Sequence, residues 1–430
     1  MGGLRWALRA PMYTTGACRQ PQGPGISRGI HEKARKKRGK FHRFYPTPLA
    51  ATLRLCTLAR TGQHLFDTIK EHAVDLGVFI PIGNNGWLIS TTSPQYKPSF
   101  DLNLEVCQLA EKYGFEFALS MIKFRGFGGD SEFWDYNLES FTLMAAIAAR
   151  TEKIKLFAST AVLTLPPALV ARMSVTIDSI APGRFGVNIV SGWAPDEYRQ
   201  MGLWPGDEYF GYRYDYSTEY VQVMQELWKN GTCTMDGKYF QMNDCMCKPT
   251  PSHKIELVCA GQSERGMDFC ATYGDYQFIL GTGVNTPTAY APANEQLMRA
   301  KEKTGRDIGS YVLFMVITGE TDEEAMAKWK KYNDGADTKA LAWMADQTDA
   351  DESAGEGSTA KTISLPEGAI NFNMGTLVGS YESVARMLDE AGSVEGTKGI
   401  MLTFDDFVEG MKVFGEKVQP LMKTRSVTVG

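Results

Sequence analysis

Histidine is scarce in this chain. Of five in 430 residues, four (His31, His42, His64 and His72) fall within the first 72 positions, leaving His253 alone in the body. That shortage all but excludes a multi-histidine metal hydrolase. A serine hydrolase is no better supplied, with no Gly-x-Ser-x-Gly elbow and no usable Ser-His-Asp set. No Gly-x-Gly-x-x-Gly run follows the first strand pattern, so a dinucleotide fold lacks its phosphate loop. No apolar run reaches the length of a membrane span. Acidic residues are missing from one end: residues 1–70 hold 14 Lys+Arg against 2 Asp+Glu, whereas the remainder holds 31 against 48. An acidic body argues against nucleic acid as its partner. The eight cysteines (18, 56, 107, 233, 245, 247, 259, 270) lack the regular spacing of a small secreted framework, so free thiols are expected. Cys245 and Cys247 have no histidine cluster beside them, and no metal is expected.

What is present is a soluble α/β composition, 43 % hydrophobic with 43 glycines. Residues 1–72 form a basic extension broken by Pro21-Gln22-Gly23-Pro24-Gly25. It reads as a mitochondrial or plastid targeting peptide, a disordered extension, a nuclear signal around Lys33–Lys40, or the product of a misassigned start. An organelle is the expected location under the first reading, and the cytoplasm otherwise. Residues 73–430 alternate strand and helix patterns. Strands are expected at 74–82, 115–122, 154–163, 184–190, 255–260, 276–280, 311–318 and 399–404, with helices between them. A hairpin is expected at 232–248, turning at Asp236-Gly237. Residues 333–370 read as an excursion able to act as a lid. Eight strands with intervening helices predict one (β/α)₈ TIM barrel with insertions.

In such a barrel, chemistry sits just beyond the strands. The fourth strand carries Asn188 and leads through Ser191-Gly192-Trp193 to Asp196 and Glu197. The first leads into Gly83-Asn84-Asn85-Gly86-Trp87, which reads as a turn or as a wall that stacks a planar heterocycle. Lys123 ends the second strand, where a cation would neutralise an anionic ligand. Met121, taken alone, reads as core. Ser159 on the third strand would lie beside Asn188. Arg213-Tyr214 and Ser263 stand at the starts of helices, where free N–H groups bind phosphate. Two such places suggest a phosphorylated cofactor, and without a nucleotide loop FMN is the natural one. The redox chemistry must then come from the cofactor.

Several blocks together resemble the bacterial luciferase-like family of flavin-dependent monooxygenases. They are Gly77 through Trp87, Ser120-Met121-Ile122-Lys123, Arg125 through Gly129, Gly186-Val187-Asn188 with Gly192-Trp193, Trp204 through Asp207, Cys259 through Ser263, and Asn373 through Tyr381. The similarity spans about residues 74–424 and is closest to the family's uracil-opening branch. It implies FMN held by Ile122, Lys123, Asn188, Glu197, Arg213, Tyr214 and Ser263. It also implies reduced FMN from a separate NADH- or NADPH-dependent reductase, O₂ as co-substrate, and attack on the 4-carbonyl of uracil or thymine to give a ureidoacrylate peracid. Strand-end position then nominates Asn188 and Ser159 for the oxygen site and Leu119, Met121 and Phe278 for a flat slot, with Asn84 or Asn85 at the ring's polar edge. Ser159 departs from the threonine usual in the family but keeps the hydroxyl. Pairing of barrels is expected by analogy. The alternatives are a related monooxygenase with another small substrate, a deazaflavin-dependent relative, and a non-catalytic flavin-binding barrel.

Overall fold

The computed structural model of the chain describes residues 74–349 and 370–425, so the basic extension lies outside them. The strands are β1 (Asp75–Phe79), β2 (Phe117–Leu119), β3 (Lys155–Ala161), β4 (Phe185–Val190), the hairpin β5 (Thr232–Asp236) and β6 (Gln241–Met246), β7 (Glu256–Ala260), β8 (Tyr276–Leu280), β9 (Gly309–Gly319), β10 (Thr376–Ser380) and β11 (Thr397–Phe404). Eight of them close a parallel barrel in the order β1-β2-β3-β4-β7-β8-β9-β11 and back to β1. The barrel strands match those expected. The first two are shorter than their apolar runs, ending at Phe79 and Leu119.

The helices are α1 (Phe100–Lys112), α2 (Ser140–Ala148), α3 (Pro167–Ile180), α4 (Pro195–Arg199), α5 (Tyr209–Asn230), α6 (Glu264–Tyr273), α7 (Ala291–Thr304), α8 (Asp322–Asp334), α9 (Thr338–Asp349), α10 (Tyr381–Gly392) and α11 (Phe407–Val413). Two differences from the sequence reading stand out. The excursion read at 333–370 takes in the end of α8 and then helix α9, and residues 350–369 lie outside the described residues. A further strand, β10, pairs with Met315–Gly319 at the far end of β9, where it meets the segment that follows β8.

Side chains alternate along each strand between two cores. Leu76, Val78, Leu156, Ala158, Val187, Ile189 and Leu257 face the helices. Phe79, Phe117, Leu119, Phe157, Val258, Tyr311, Leu313 and Met401 face the barrel axis. The lower interior is filled by rings. Phe117 stacks on Tyr311 at 4.1 Å and 11°, and Tyr311 on Tyr276 at 4.1 Å and 12°. Inward-facing glycines make the room. A Cβ on Gly77 would lie 2.2 Å from the Phe117 ring, one on Gly186 2.4 Å from Phe157, and one on Gly399 2.8 Å from Tyr311. With that end packed solid, the cavity opens at the carboxyl ends of the strands, where a barrel holds its chemistry.

Candidate active site

β3 and β4 run parallel with Ser159 opposite Asn188. The Asn188 amide nitrogen donates to the Ser159 hydroxyl at 2.8 Å, and that hydroxyl donates to the Ser120 carbonyl at 2.5 Å. The direction of the chain fixes the amide: nitrogen toward Ser159, oxygen away from it. Asn188 Oδ1 is buried and has no hydrogen-bond partner among the described residues. A buried acceptor left alone costs about 1–3 kcal/mol, a cost that a ligand's N–H would remove.

Above this pair is a cleft with about 750 Å³ of atom-free space, part of it open to solvent, within the range of small-molecule sites. Its walls include Phe79, Trp87, Met121, Trp134, Phe278 and Phe372, with Ile122, Lys123, Ser159 and Asn188 between them. The aromatic wall is mutually braced: Trp87 meets Trp134 edge-on at 5.1 Å and Phe372 at 5.3 Å, while Trp134 stacks on Phe372 at 4.8 Å. Through Val190, Trp193 and Ala260 the cleft shares its lining with a second space of about 460 Å³. Arg213, Tyr214 and Ser263 lie there. Ser263 caps α6, accepting from Gly266 N at 3.2 Å, and Gly261 has φ +136° where a Cβ would lie 2.2 Å from the Tyr214 oxygen. An apolar slot that runs into a helix N-terminus beside an arginine suits a flat ring system with an anionic tail.

Lys123 reaches the cleft, but its charge already has a counter-ion. Its ammonium lies 3.0 Å from Glu197 Oε2, both side chains nearly excluded from water at 4 % and 6 % exposure. Glu197 on α4 also accepts from Phe124 N at 2.7 Å, and the ammonium sits 4.7 Å from the Phe127 ring and 4.9 Å from Trp193. Glu197 thus holds Lys123 and the start of the 124–137 loop from behind the cleft. Farther along, α9 clasps the same rim. Asp337 accepts from Ser131 N and Oγ, each at 2.7 Å, and Gln347 Nε2 donates to Asp196 at 3.1 Å.

Of the residues singled out from the sequence, Met121, Ile122, Lys123, Ser159, Asn188 and Phe278 line the cleft, and Arg213, Tyr214 and Ser263 line the space that adjoins it. Four are elsewhere: Glu197 stands behind the cleft on Lys123, and the other three are Asn84, Asn85 and Leu119. Asn84 and Asn85 spend their amides on the fold: Asn84 Nδ2 donates to Glu132 O, Asn85 Nδ2 to Ser131 O, and their oxygens accept from Tyr136 N and Tyr96 N. They staple the 83–87 turn to the 131–136 loop and are not among the residues that line the cleft. Leu119 is fully buried in the inner core below the cleft. Sequence reasoning missed Trp134 and Phe372, which stack from distant parts of the chain. Both sit at φ near +60°, a backbone state with no signature in the residue type.

The model of the luciferase-like monooxygenase family matches residues 74–395. The chain belongs to that family. This luciferase-like protein is 72 % identical over 353 residues to "Pyrimidine monooxygenase RutA" of Bradyrhizobium sp. (strain BTAi1), covering 82 % of this chain and 98 % of that protein. It is 61 % identical over 351 residues to the protein of the same name from Klebsiella pneumoniae, covering 82 % and 97 %. Its fold resembles a riboflavin lyase (RcaE) solved with modified FMN and riboflavin, with TM-score 0.69 at 20 % identity over 81 % of this chain and 91 % of that one. The luciferase-like chain is an enzyme, a flavin-dependent monooxygenase.

Proposed function

We infer that this enzyme is a two-component FMN-dependent pyrimidine monooxygenase. It takes reduced FMN from a separate NADH- or NADPH-dependent reductase and uses O₂ to open the ring of uracil or thymine. The high identity to proteins named pyrimidine monooxygenase supports the substrate class. The observation that carries the cofactor is the site's shape and polarity: an aromatic slot with one orphaned acceptor, Asn188 Oδ1, continuous with an arginine and a helix N-terminus.

Those residues fit FMN. Ser263, Tyr214, Arg213 and the free N–H groups of α6 would hold the phosphate, and Ile122, Lys123 and Asn188 the ring system. Reduced FMN supplies the two electrons that activate O₂. The chain does the rest. Trp87, Trp134, Phe278 and Phe372 exclude water from the reacting atoms and offer flat faces to a pyrimidine. Asn188 Oδ1 accepts from a ring N–H. Lys123, held by Glu197, keeps a fixed positive charge near the cleft that favours developing negative charge on oxygen. The balance is one uracil, one O₂ and two hydrogens from reduced FMN for each ureidoacrylate peracid; the N3–C4 bond breaks and C4 gains the peroxy group.

The test is incubation of purified protein with FMN, NADH and a flavin reductase, against uracil, thymine, cytosine and an alkanesulfonate, read by mass spectrometry. Consumption of uracil or thymine with the expected mass gain supports the reading. Turnover of another compound alone, or of none, contradicts it.

A further inference from the structure

Around the Ser159 end of the Asn188–Ser159 pair lies a layer of hydroxyls that the proposed chemistry leaves unused. Ser120, Ser140 and Ser159 are all fully buried. The ladder between β2 and β3 runs through Lys155 N to Glu116 O and Ser120 N to Phe157 O, both at 3.0 Å. In a parallel ladder the next rung would be Ser159 N to Ser120 O. That rung is split. Ser140, the first residue of α2, inserts its hydroxyl and accepts the Ser159 N–H at 2.8 Å. The Ser120 carbonyl, left free, accepts instead from the Ser159 side chain at 2.5 Å.

The split has a chemical consequence one step away. A hydroxyl has one hydrogen. Because Ser159 gives its hydrogen to Ser120 O, it can only accept from Asn188. The amide must therefore turn its nitrogen to Ser159 at 2.8 Å and leave its oxygen for the cleft. The Ser140 hydroxyl also lies 2.5 Å from Ser120 Oγ, a contact in which either oxygen can donate. The run from Asn188 through Ser159 to Ser120 O then has one direction.

We propose that Ser140 is a positioning residue that sets the polarity of the active site: by splitting the β2–β3 rung it makes Asn188 an acceptor, so that the group bound there must carry a ring N–H. The proposal rests on the FMN-dependent pyrimidine reading. Two ligands supply such a group. Reduced FMN has an N–H where oxidised FMN has a bare nitrogen, and a pyrimidine has its own ring N–H groups. Without the Ser140 hydroxyl the ordinary rung closes, Ser159 regains a free hydrogen to donate to Asn188 Oδ1, and the amide turns its nitrogen outward.

The test compares wild type with Ser140→Ala by binding alone. One arm titrates reduced and oxidised FMN anaerobically. The other titrates uracil and 3-methyluracil into the complex with oxidised FMN. Wild type is expected to favour the N–H-bearing ligand at least about threefold in one arm, the size of one neutral hydrogen bond, and the arm that responds identifies the source. In Ser140→Ala that preference falls to parity or inverts. A purely structural role for Ser140 would weaken both ligands of an arm equally and leave the ratio unchanged, which overturns the proposal, as does a wild type with no preference in either arm. If uracil fails to bind at all, the pyrimidine reading falls while the FMN arm still decides the role of Ser140. Should Ser140→Ala not fold, Ser140→Cys fills the space with a poor acceptor and carries the same comparison.

Discussion

Glu197→Gln removes one charge from a buried pair while keeping volume and an acceptor for Phe124 N. The Lys123–Glu197 contact is 3.0 Å with both side chains almost fully buried. At an effective dielectric of ~20 the attraction is about 5 kcal/mol, a gain largely offset by the desolvation of two ions. The single variant keeps the desolvation of Lys123 and loses what compensated it. A loss of about 3–5 kcal/mol is expected in the apo protein, read from urea unfolding midpoints and slopes. Lys123→Met, which leaves the carboxylate unpaired, should cost a similar amount. The double variant Lys123→Met/Glu197→Gln removes both charges and should be far more stable than the two losses added together, with a coupling of about 2–4 kcal/mol. Additive losses, or a Glu197→Gln cost under about 1 kcal/mol, would show that water reaches the pair and would refute the description of Lys123 as a locked cation.

Other perturbations reach other parts of the molecule. Gly77→Ala places a methyl against the Phe117 ring, which its stacking on Tyr311 at 4.1 Å keeps from yielding; destabilisation of about 1–3 kcal/mol is expected from chemical unfolding, partly recovered by Phe117→Leu. Ser263→Ala removes the α6 cap at a cost of about 1 kcal/mol and should weaken FMN more than riboflavin; equal weakening in fluorescence titrations would remove Ser263 from the phosphate end. Burial alone would push the Asp337 carboxyl up, but hydrogen bonds from Ser131 N and Oγ and from the Ala340 and Lys339 backbone outweigh it and hold it below its ordinary value of 3.8. Its stabilising contribution is therefore complete above about pH 3.8 and lost as pH falls through the lower folded value. Asp337→Asn should lower stability at neutral pH and flatten that acid limb, and an unchanged limb would contradict the assignment.

Much of this was legible in the sequence because local signals agreed with the fold. The β-branched run 185–190 is a strand, the hairpin turns after Asp236, and Ser263 caps a helix. Asn188 and Ser159 were found together because strand alternation puts both on the inner face. The failures have a common cause. Asn84 and Asn85 sit between glycines after a strand, a pattern shared by binding loops and by structural staples; only the positions of Tyr96, Ser131, Glu132 and Tyr136 decide which. Trp134 and Phe372 meet through positive-φ backbone and tertiary stacking, and α9 was hidden in a stretch rich in small and polar residues. Ser140 carries no local mark at all. Its meaning depends on β2 ending at Leu119, one residue before the rung it splits.

The reaction proposed for this site is a ring opened by O₂ with electrons from reduced FMN. It is tested most directly by anaerobic loading of the protein with reduced FMN and uracil, followed by a single exposure to ¹⁸O₂ and mass analysis of the pyrimidine product. Uracil is expected to be lost in proportion to reduced FMN, with ¹⁸O in the opened product. Oxidation of the flavin with hydrogen peroxide released, uracil intact and no label in any pyrimidine-derived species would contradict it.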